Sequence, residues 1–276
     1  MAPTERAVAG DVAAGARRRL LGLPVDAVSM DEAVARVAGA VKERRRLRIL
    51  VTNANKAWLA ARDPELKRAL EEAELVVAEW ATAWAAGVLR CPGVRHIGGI
   101  TLMQRLLAEA EAHGWSCYFL GGRAEVVSAL VERLKRERPG LRIAGAHDGY
   151  LDDAAGADVR AELQRVAPDL LFVAMGSPLQ ERWIMALPAD GGRVSLGVGG
   201  SFDVLAGVKR DAPAWARGRG LEWAWRLAQD PRRLGKRYLV TNSWFVGRVL
   251  RERLSPARAS QTAGGSPAVP AARPLN

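Results

Sequence analysis

The sequence predicts an α/β protein, a parallel sheet with helices on both faces, extended by a small basic helical appendage. Three observations carry this. Short apolar runs of the buried-strand kind alternate with helical periodicity from about residue 20 to residue 200. Turns rich in glycine and asparagine recur where those runs stop. From Lys209 onward the composition shifts to Arg and Trp, with few acids.

Taken in order, Leu20–Val25 is a short apolar run, and Ser29-Met30-Asp31-Glu32 reads as a capping box that opens a helix to about Glu43. Arg48–Thr52 (RILVT) is a strand of the buried type. Asp63-Pro64 starts a helix with proline at its first helical position. Leu75–Ala78 is a short strand, followed by an apolar helix through Trp84. Ile100–His113 has helical spacing, and Ser116–Leu120 is a strand that runs into Gly121-Gly122. Arg123–Arg138 is an amphipathic helix stopped by Pro139-Gly140. Leu141–Ala146 is a strand and Asp153–Val166 a helix. Asp169–Met175 is a strand, Pro178–Ala186 a helix, and Arg193–Val198 the last strand. This divides the chain into a disordered leader (1–18), a catalytic core (19–207), a basic tryptophan-rich appendage (208–254) and a low-complexity, disordered tail (255–276).

A hydrophobic share of 49% in 276 residues is enough to fill one large core. The net charge of +11 calls for an anionic partner: nucleic acid, phosphate-rich ligand or acidic lipid. The sequence has no RNA- or DNA-binding motif, and its basic region has few Phe or Tyr for base stacking, which speaks against nucleic acid. Cys91 and Cys117 form neither a CxxC nor a metal-type spacing, so both are expected as reduced thiols. Neither a signal peptide nor an apolar run approaching the ~20 residues of a membrane span is visible. The expected location is therefore cytoplasmic, with peripheral contact at the inner face of the plasma membrane through Trp and Arg of the appendage.

In a parallel sheet the site lies at the carboxyl ends of the strands. Thr52, Asn53 and Asn55 follow the first core strand and can orient hydroxyls or phosphates; Asn53 or Asn55 could equally cap a helix. Gly121-Gly122 suits either a diphosphate approach or a plain tight turn. A GxGxxG fingerprint is absent, which counts against a nicotinamide-dependent oxidoreductase. Gly176 and Gln180 flank a helix start, where a carboxamide could read a uracil edge or a sugar hydroxyl. Gly199 and Gly200 permit close ligand approach, and Asp203 either accepts from a sugar hydroxyl or caps the following helix. Glu79, between Ala78 and Trp80, is a candidate general base, or else a favourable partner for the dipole of the helix it precedes. The three histidines form no ligand cluster and no DxD motif is present, so no catalytic metal is expected.

The segments VTNANKAWLAARDPEL, LVVAEWATAW, RHIGGITLM, YFLGGR, AHDGY, DLLFVAMGSPLQERWI, GVGGSFDVLAG and LEWAWRLAQDPRRLGKRYL, in this order, resemble the WecG/TagA/CpsF family (glycosyltransferase family 26). The resemblance covers roughly residues 20–252. It implies a Rossmann-like core and inverting, metal-independent transfer of N-acetylmannosamine, its uronic acid or a related sugar. The donor would be a UDP-sugar, acting as co-substrate with no further cofactor. The acceptor would be a sugar on polyprenyl diphosphate, in cell-surface polysaccharide synthesis. The resemblance also implies homo-oligomers formed through the core, and an appendage that contacts the membrane and supplies arginines to the site. Here those are Arg217, Arg219, Arg226, Arg232, Arg233 and Arg237, whose guanidinium forks suit diphosphate oxygens. Many members carry Asp where Glu79 stands, Asn where Ala54 stands and Asp where Thr101 stands.

Overall fold

The computed structural model describes residues 15–188, 191–213, 216 and 221–255. The chain opens with an antiparallel hairpin, β1 (Arg17–Leu20) and β2 (Leu23–Asp26), whose two-residue turn places Leu21 and Gly22 at φ 54° and 80°. Positive φ at both central residues matches the right-handed twist of paired strands, which is why such turns close tight hairpins. Arg17 and Arg18, assigned from composition to the leader, are therefore the first residues of a strand, because each pairs across to β2. Residues 1–14 of the expected leader and 256–276 of the expected tail lie outside the described residues.

The core sheet contains β3 (Leu47–Thr52), β4 (Leu75–Ala78), β5 (Ser116–Gly121), β6 (Arg142–His147), β7 (Leu170–Ala174) and β8 (Val194–Gly197). Its spatial order is β4-β3-β8-β7-β5-β6, and every pairing is parallel. Each strand lies close to its expected position. The capping box also forms: Glu32 N donates to Ser29 Oγ at 3.2 Å and Ser29 N to Glu32 Oε2 at 2.6 Å, opening α1 (Met30–Lys42).

Alternation along the strands sends side chains to two opposite cores. Leu47, Ile49 and Val51 of β3 join Phe119, Phe172 and Leu196 on one face. That face is covered by α1, α5 (Gly99–His113) and α6 (Ala124–Glu137). Leu50 of β3 joins Tyr118, Leu120, Leu171 and Val173 on the other. There the cover is α2 (Ala54–Ala60), α3 (Pro64–Glu72), α4 (Trp80–Val88), α7 (Asp153–Val166) and α8 (Leu179–Ala186). The hairpin protects the edge strand β4: buried Asp26 accepts from Val76 N at 2.7 Å and from Arg17 Nη2 at 2.9 Å. An edge strand with a bonded N–H and a covered face is a poor template for pairing with another chain.

After β8 come the short α9 (Ser201–Leu205), then α10 (Glu222–Gln229) and α11 (Pro231–Leu254). The last helix packs on α2 and α4, with Phe245 and Val249 buried in the second core. Arg62, just past the end of α2, lies over the rings of Trp58 and Trp244, at 4.3 Å and 5.4 Å from their centroids. Among the described residues no helix is long and apolar enough to cross a membrane.

Candidate active site

A cavity of about 450 Å³ opens at the carboxyl ends of β3, β4, β7 and β8. These strands straddle the point where the chain, having run outward from β3 to β4, starts the other half of the sheet at β5. Crevices form at such reversals because the loops on either side leave in different directions.

The β3 end supplies Asn53, whose carboxamide has two tasks. Its Oδ1 accepts from Lys56 N at 2.9 Å and so caps α2, while its Nδ2 donates to Glu79 Oε2 at 2.8 Å. Glu79 is the residue before α4, yet its side chain makes no capping bond to that helix. The carboxylate instead lies between Asn53 and Gly99, where a Cβ would be 3.9 Å from Glu79 Oε1. Oε1 accepts no hydrogen bond from the described residues. Glu79 is thus a carboxylate with one oxygen anchored and one free in a cavity, the arrangement a general base requires.

The far wall comes from Gly176, Ser177 and Gln180 after β7, and from Gly197 to Gly200 after β8. Gln180 is only 2% exposed and accepts from Gly199 N at 3.1 Å. Behind it lies a buried ion pair, Lys56 Nζ to Glu181 Oε1 at 2.7 Å. The remaining wall belongs to the appendage, with Glu222, Trp223, Arg237, Tyr238, Asn242, Phe245 and Val246, facing Trp80 and Trp84 of α4.

The structure therefore gathers Asn53, Asn55, Glu79, Gly176, Gln180, Gly199, Gly200 and Arg237 around one cavity. Five expected residues stand elsewhere. Thr52 is buried and turns into the sheet, donating its hydroxyl to Val77 O at 3.1 Å. Gly121 and Gly122 lie outside the cavity lining. A Cβ on Gly121 would come within 2.5 Å of the Ala174 backbone, and Gly122 N already donates to Ala174 O at 3.0 Å. That glycine pair serves close packing of β5 on β7, leaving the Gly122 amide unavailable to a diphosphate. Asp203 neither lines the cavity nor caps α9, because Lys209 Nζ holds its carboxylate at 2.8 Å and Gly200 is the cap residue. Of the appendage arginines, Arg232 is exposed and away from the cavity lining. Arg217 and Arg219, and the side chains of Arg226 and Arg233, lie outside the described residues.

Several lining residues had no signal in the sequence. Lys56, which lines the cavity, and Glu181, which sits behind the lining, look like ordinary helical surface charges until α2 and α8 are brought together. Tyr238 and Asn242 reach the cavity only because α11 docks on α2. His96 joins it through a parallel bridge to Ala78 that extends the sheet by one residue. Among the described residues no group of three or more His, Cys, Asp or Glu could hold a metal ion.

A doubly covered parallel sheet, with an anchored carboxylate in a crevice at its strand ends, defines an α/β protein of the Rossmann-like class. Residues 18–259 match the glycosyl transferase WecG/TagA/CpsF family, and the chain belongs to that family. It is similar to the N-acetylglucosaminyldiphosphoundecaprenol N-acetyl-beta-D-mannosaminyltransferase of Bacillus spizizenii, at 30% identity over 78% of this chain and 82% of that protein. Enzymes of the same name from Bacillus subtilis and Staphylococcus aureus are each 36% identical. The first match covers 49% of this chain and 52% of the relative, the second 54% and 58%. The chain is thus a glycosyltransferase by family.

Proposed function

We propose that this enzyme transfers N-acetylmannosamine, its uronic acid or a related hexose from a UDP-sugar, with inversion and without a metal. The acceptor is a sugar on polyprenyl diphosphate, of the N-acetylglucosaminyldiphosphoundecaprenol kind named for the relatives. The observation that carries the reading is the Glu79 carboxylate, held by Asn53 Nδ2 at 2.8 Å and lining the cavity, its other oxygen unbonded among the described residues.

In the proposed step Glu79 takes the proton of the acceptor hydroxyl as that oxygen bonds to the anomeric carbon. The bond from this carbon to the diphosphate breaks, and UDP leaves with the electron pair. Negative charge develops on the leaving diphosphate, where guanidinium groups stabilise it. Arg237 on the cavity wall suits that task, and Arg217, Arg219, Arg226, Arg232 and Arg233 of the same appendage are assigned to diphosphate or anionic lipid.

Peripheral binding at the cytoplasmic membrane surface is part of the same reading. It is supported by the outer face of α11, where Leu239, Leu250 and Leu254 are exposed on the side away from Phe245 and Val249. An apolar stripe among basic residues fits an anionic lipid surface. The functional division into a core to residue 207 and a membrane-associating appendage over 208–254 belongs to this proposal.

The test is Glu79→Gln. Transfer from a panel of UDP-sugars to a polyprenyl-diphosphate-linked acceptor should fall by about a hundredfold or more, the scale of general-base loss. UDP affinity by calorimetry should stay within a few-fold. Full turnover by the variant would remove Glu79 from the mechanism.

A further inference from the structure

We propose that the buried Lys56–Glu181 pair is a positioning device for the donor side of the cavity, locking the Gln180 carboxamide in one orientation and through it the Gly199 loop. The role in donor binding rests on the transferase reading above; the locking itself stands on geometry alone.

Lys56 is 3% exposed and Glu181 0%. Two charges so deeply buried are poor stabilisers, since lost hydration offsets most of their attraction and apolar residues of similar volume often do as well. Nor is the cluster fully satisfied: Glu181 Oε2 is buried without a partner among the described residues. What the pair does achieve is orientation. Glu181 Oε1 accepts from Lys56 Nζ at 2.7 Å, Gln180 Nε2 at 2.8 Å and Ser177 Oγ at 3.1 Å. The amide end of Gln180 must therefore face Glu181, and its oxygen faces Gly199 N at 3.1 Å. Flipping the carboxamide would set oxygen against carboxylate and NH₂ against an N–H donor, losing both bonds.

Two further contacts fit this role. A Cβ on Gly197 would lie 2.9 Å from Gln180 Nε2, so glycine at the end of β8 leaves the room in which the amide sits. Lys56 N is held by Asn53 Oδ1, so the turn that anchors Glu79 also places the ammonium. With the flip fixed, Gln180 keeps one N–H and one lone pair for a ligand in the cavity. Lys56 supplies the neutralising charge that lets Glu181 remain an acceptor in the interior. Lys56 and Glu181 are thus positioning residues acting through Gln180.

The experiment compares Lys56→Met, Glu181→Gln and the double variant with the parent enzyme. Each is read by UDP calorimetry, donor KM and kcat, hydrogen exchange of the Gly199 amide, and thermal unfolding. Lys56→Met, which leaves a carboxylate without its cation, should weaken UDP binding and raise donor KM by about tenfold, with kcat within about threefold. Gly199 exchange should quicken by about tenfold as its acceptor wanders. Glu181→Gln keeps an acceptor oxygen for Gln180 but strands the buried Lys56 ammonium, so its melting temperature should fall while binding and exchange change less than in Lys56→Met. The double variant should return binding and exchange to within about threefold of the parent, since no lone buried charge remains.

Unchanged UDP affinity and Gly199 exchange in Lys56→Met, with only a lower melting temperature, would show a purely structural pair and overturn the proposal. A double variant as weak as Lys56→Met would mean that Lys56 touches the ligand itself, which also overturns it. If the parent enzyme binds no UDP, the transferase reading falls, while Gly199 exchange still decides whether the pair locks Gln180.

Discussion

Asn53 joins a structural bond and a functional bond in one carboxamide, and substitution can part them. Aspartate at this position keeps an acceptor for Lys56 N but loses the N–H that holds Glu79, and adds a like charge beside it. Asn53→Asp should therefore unfold within about 0.5 kcal/mol of the parent while transfer drops about tenfold or more; Asn53→Ala should lose both, with about 1 kcal/mol from the missing cap. Urea unfolding beside a transfer assay checks this, and equal losses of stability in the two variants would contradict the division. A second residue-scale expectation concerns the thiols. Burial, with the Asp169 carboxylate adding to it, pushes the Cys117 thiol up to about 12. In native protein at pH 8 Cys117 should resist alkylation until the chain unfolds, as mass spectrometry of labelled peptides will show. At this scale the sequence was a partial guide. Glu79, Asn53 and Gln180 were legible because they follow strand ends, where the fold class puts ligands. Thr52 and Asp203 obey the same rule and yet turn inward or pair locally, because position at a strand end does not determine which way a side chain points; Gly121, with no side chain, is taken up in close packing against Ala174.

Elements were more legible than side chains, for a physical reason. Alternation along a strand and capping at a helix start are local, so Ser29 with Glu32, and Asp63 ahead of Pro64, mark helix starts that the structure keeps. The hairpin was seen only as an apolar run, because its turn carries Leu21 where Asn or Gly would have signalled it. Pairing between distant elements leaves no such local trace. Arg48 at the start of β3 grips Glu74 before β4, with Nη2 to Oε1 at 2.7 Å and Nε to Oε2 at 2.9 Å. Burial alone would raise the Glu74 carboxyl, but the bonds from the Arg48 side chain and backbone outweigh it and hold it below its ordinary 4.5. A carboxyl depressed in the folded state contributes stability that is present above its unfolded pKa and lost as pH falls through the folded one. Glu74→Gln should therefore destabilise the protein at pH 6, and the gap from the parent should narrow as the pH falls below the ordinary 4.5. Urea midpoints at pH 6 and pH 3 provide the check.

At the scale of the whole molecule, the appendage is both wall and cover. Its inner face buries Phe245 and Val249 against α2 and α4, and its outer face leaves Leu239 72% and Leu250 50% exposed. Removing everything after Gly207 would thus strip a cavity wall and uncover core surface along with any lipid contact. The cleaner test replaces Leu239, Leu250 and Leu254 together with Ser. Sedimentation with anionic vesicles should show binding weakened by about tenfold or more, with little change in melting temperature. Unaltered vesicle binding would remove the membrane role from this face. The charge and tryptophan content of this region were legible in the sequence, but its division into a buried and an exposed face needed the docking of α11.

That docking also orders events during synthesis. A ribosome completes β8, and with it the whole sheet, before it has made any of the residues from Glu222 to Val246 that close the crevice. The nascent chain can therefore hold Glu79 and Asn53 in a folded but open trough. The cavity gains its final wall only when the last helix folds down onto α2. A premature stop between Gly207 and Glu222 would yield a chain with no enclosed site and with the core surface under Phe245 and Val249 uncovered.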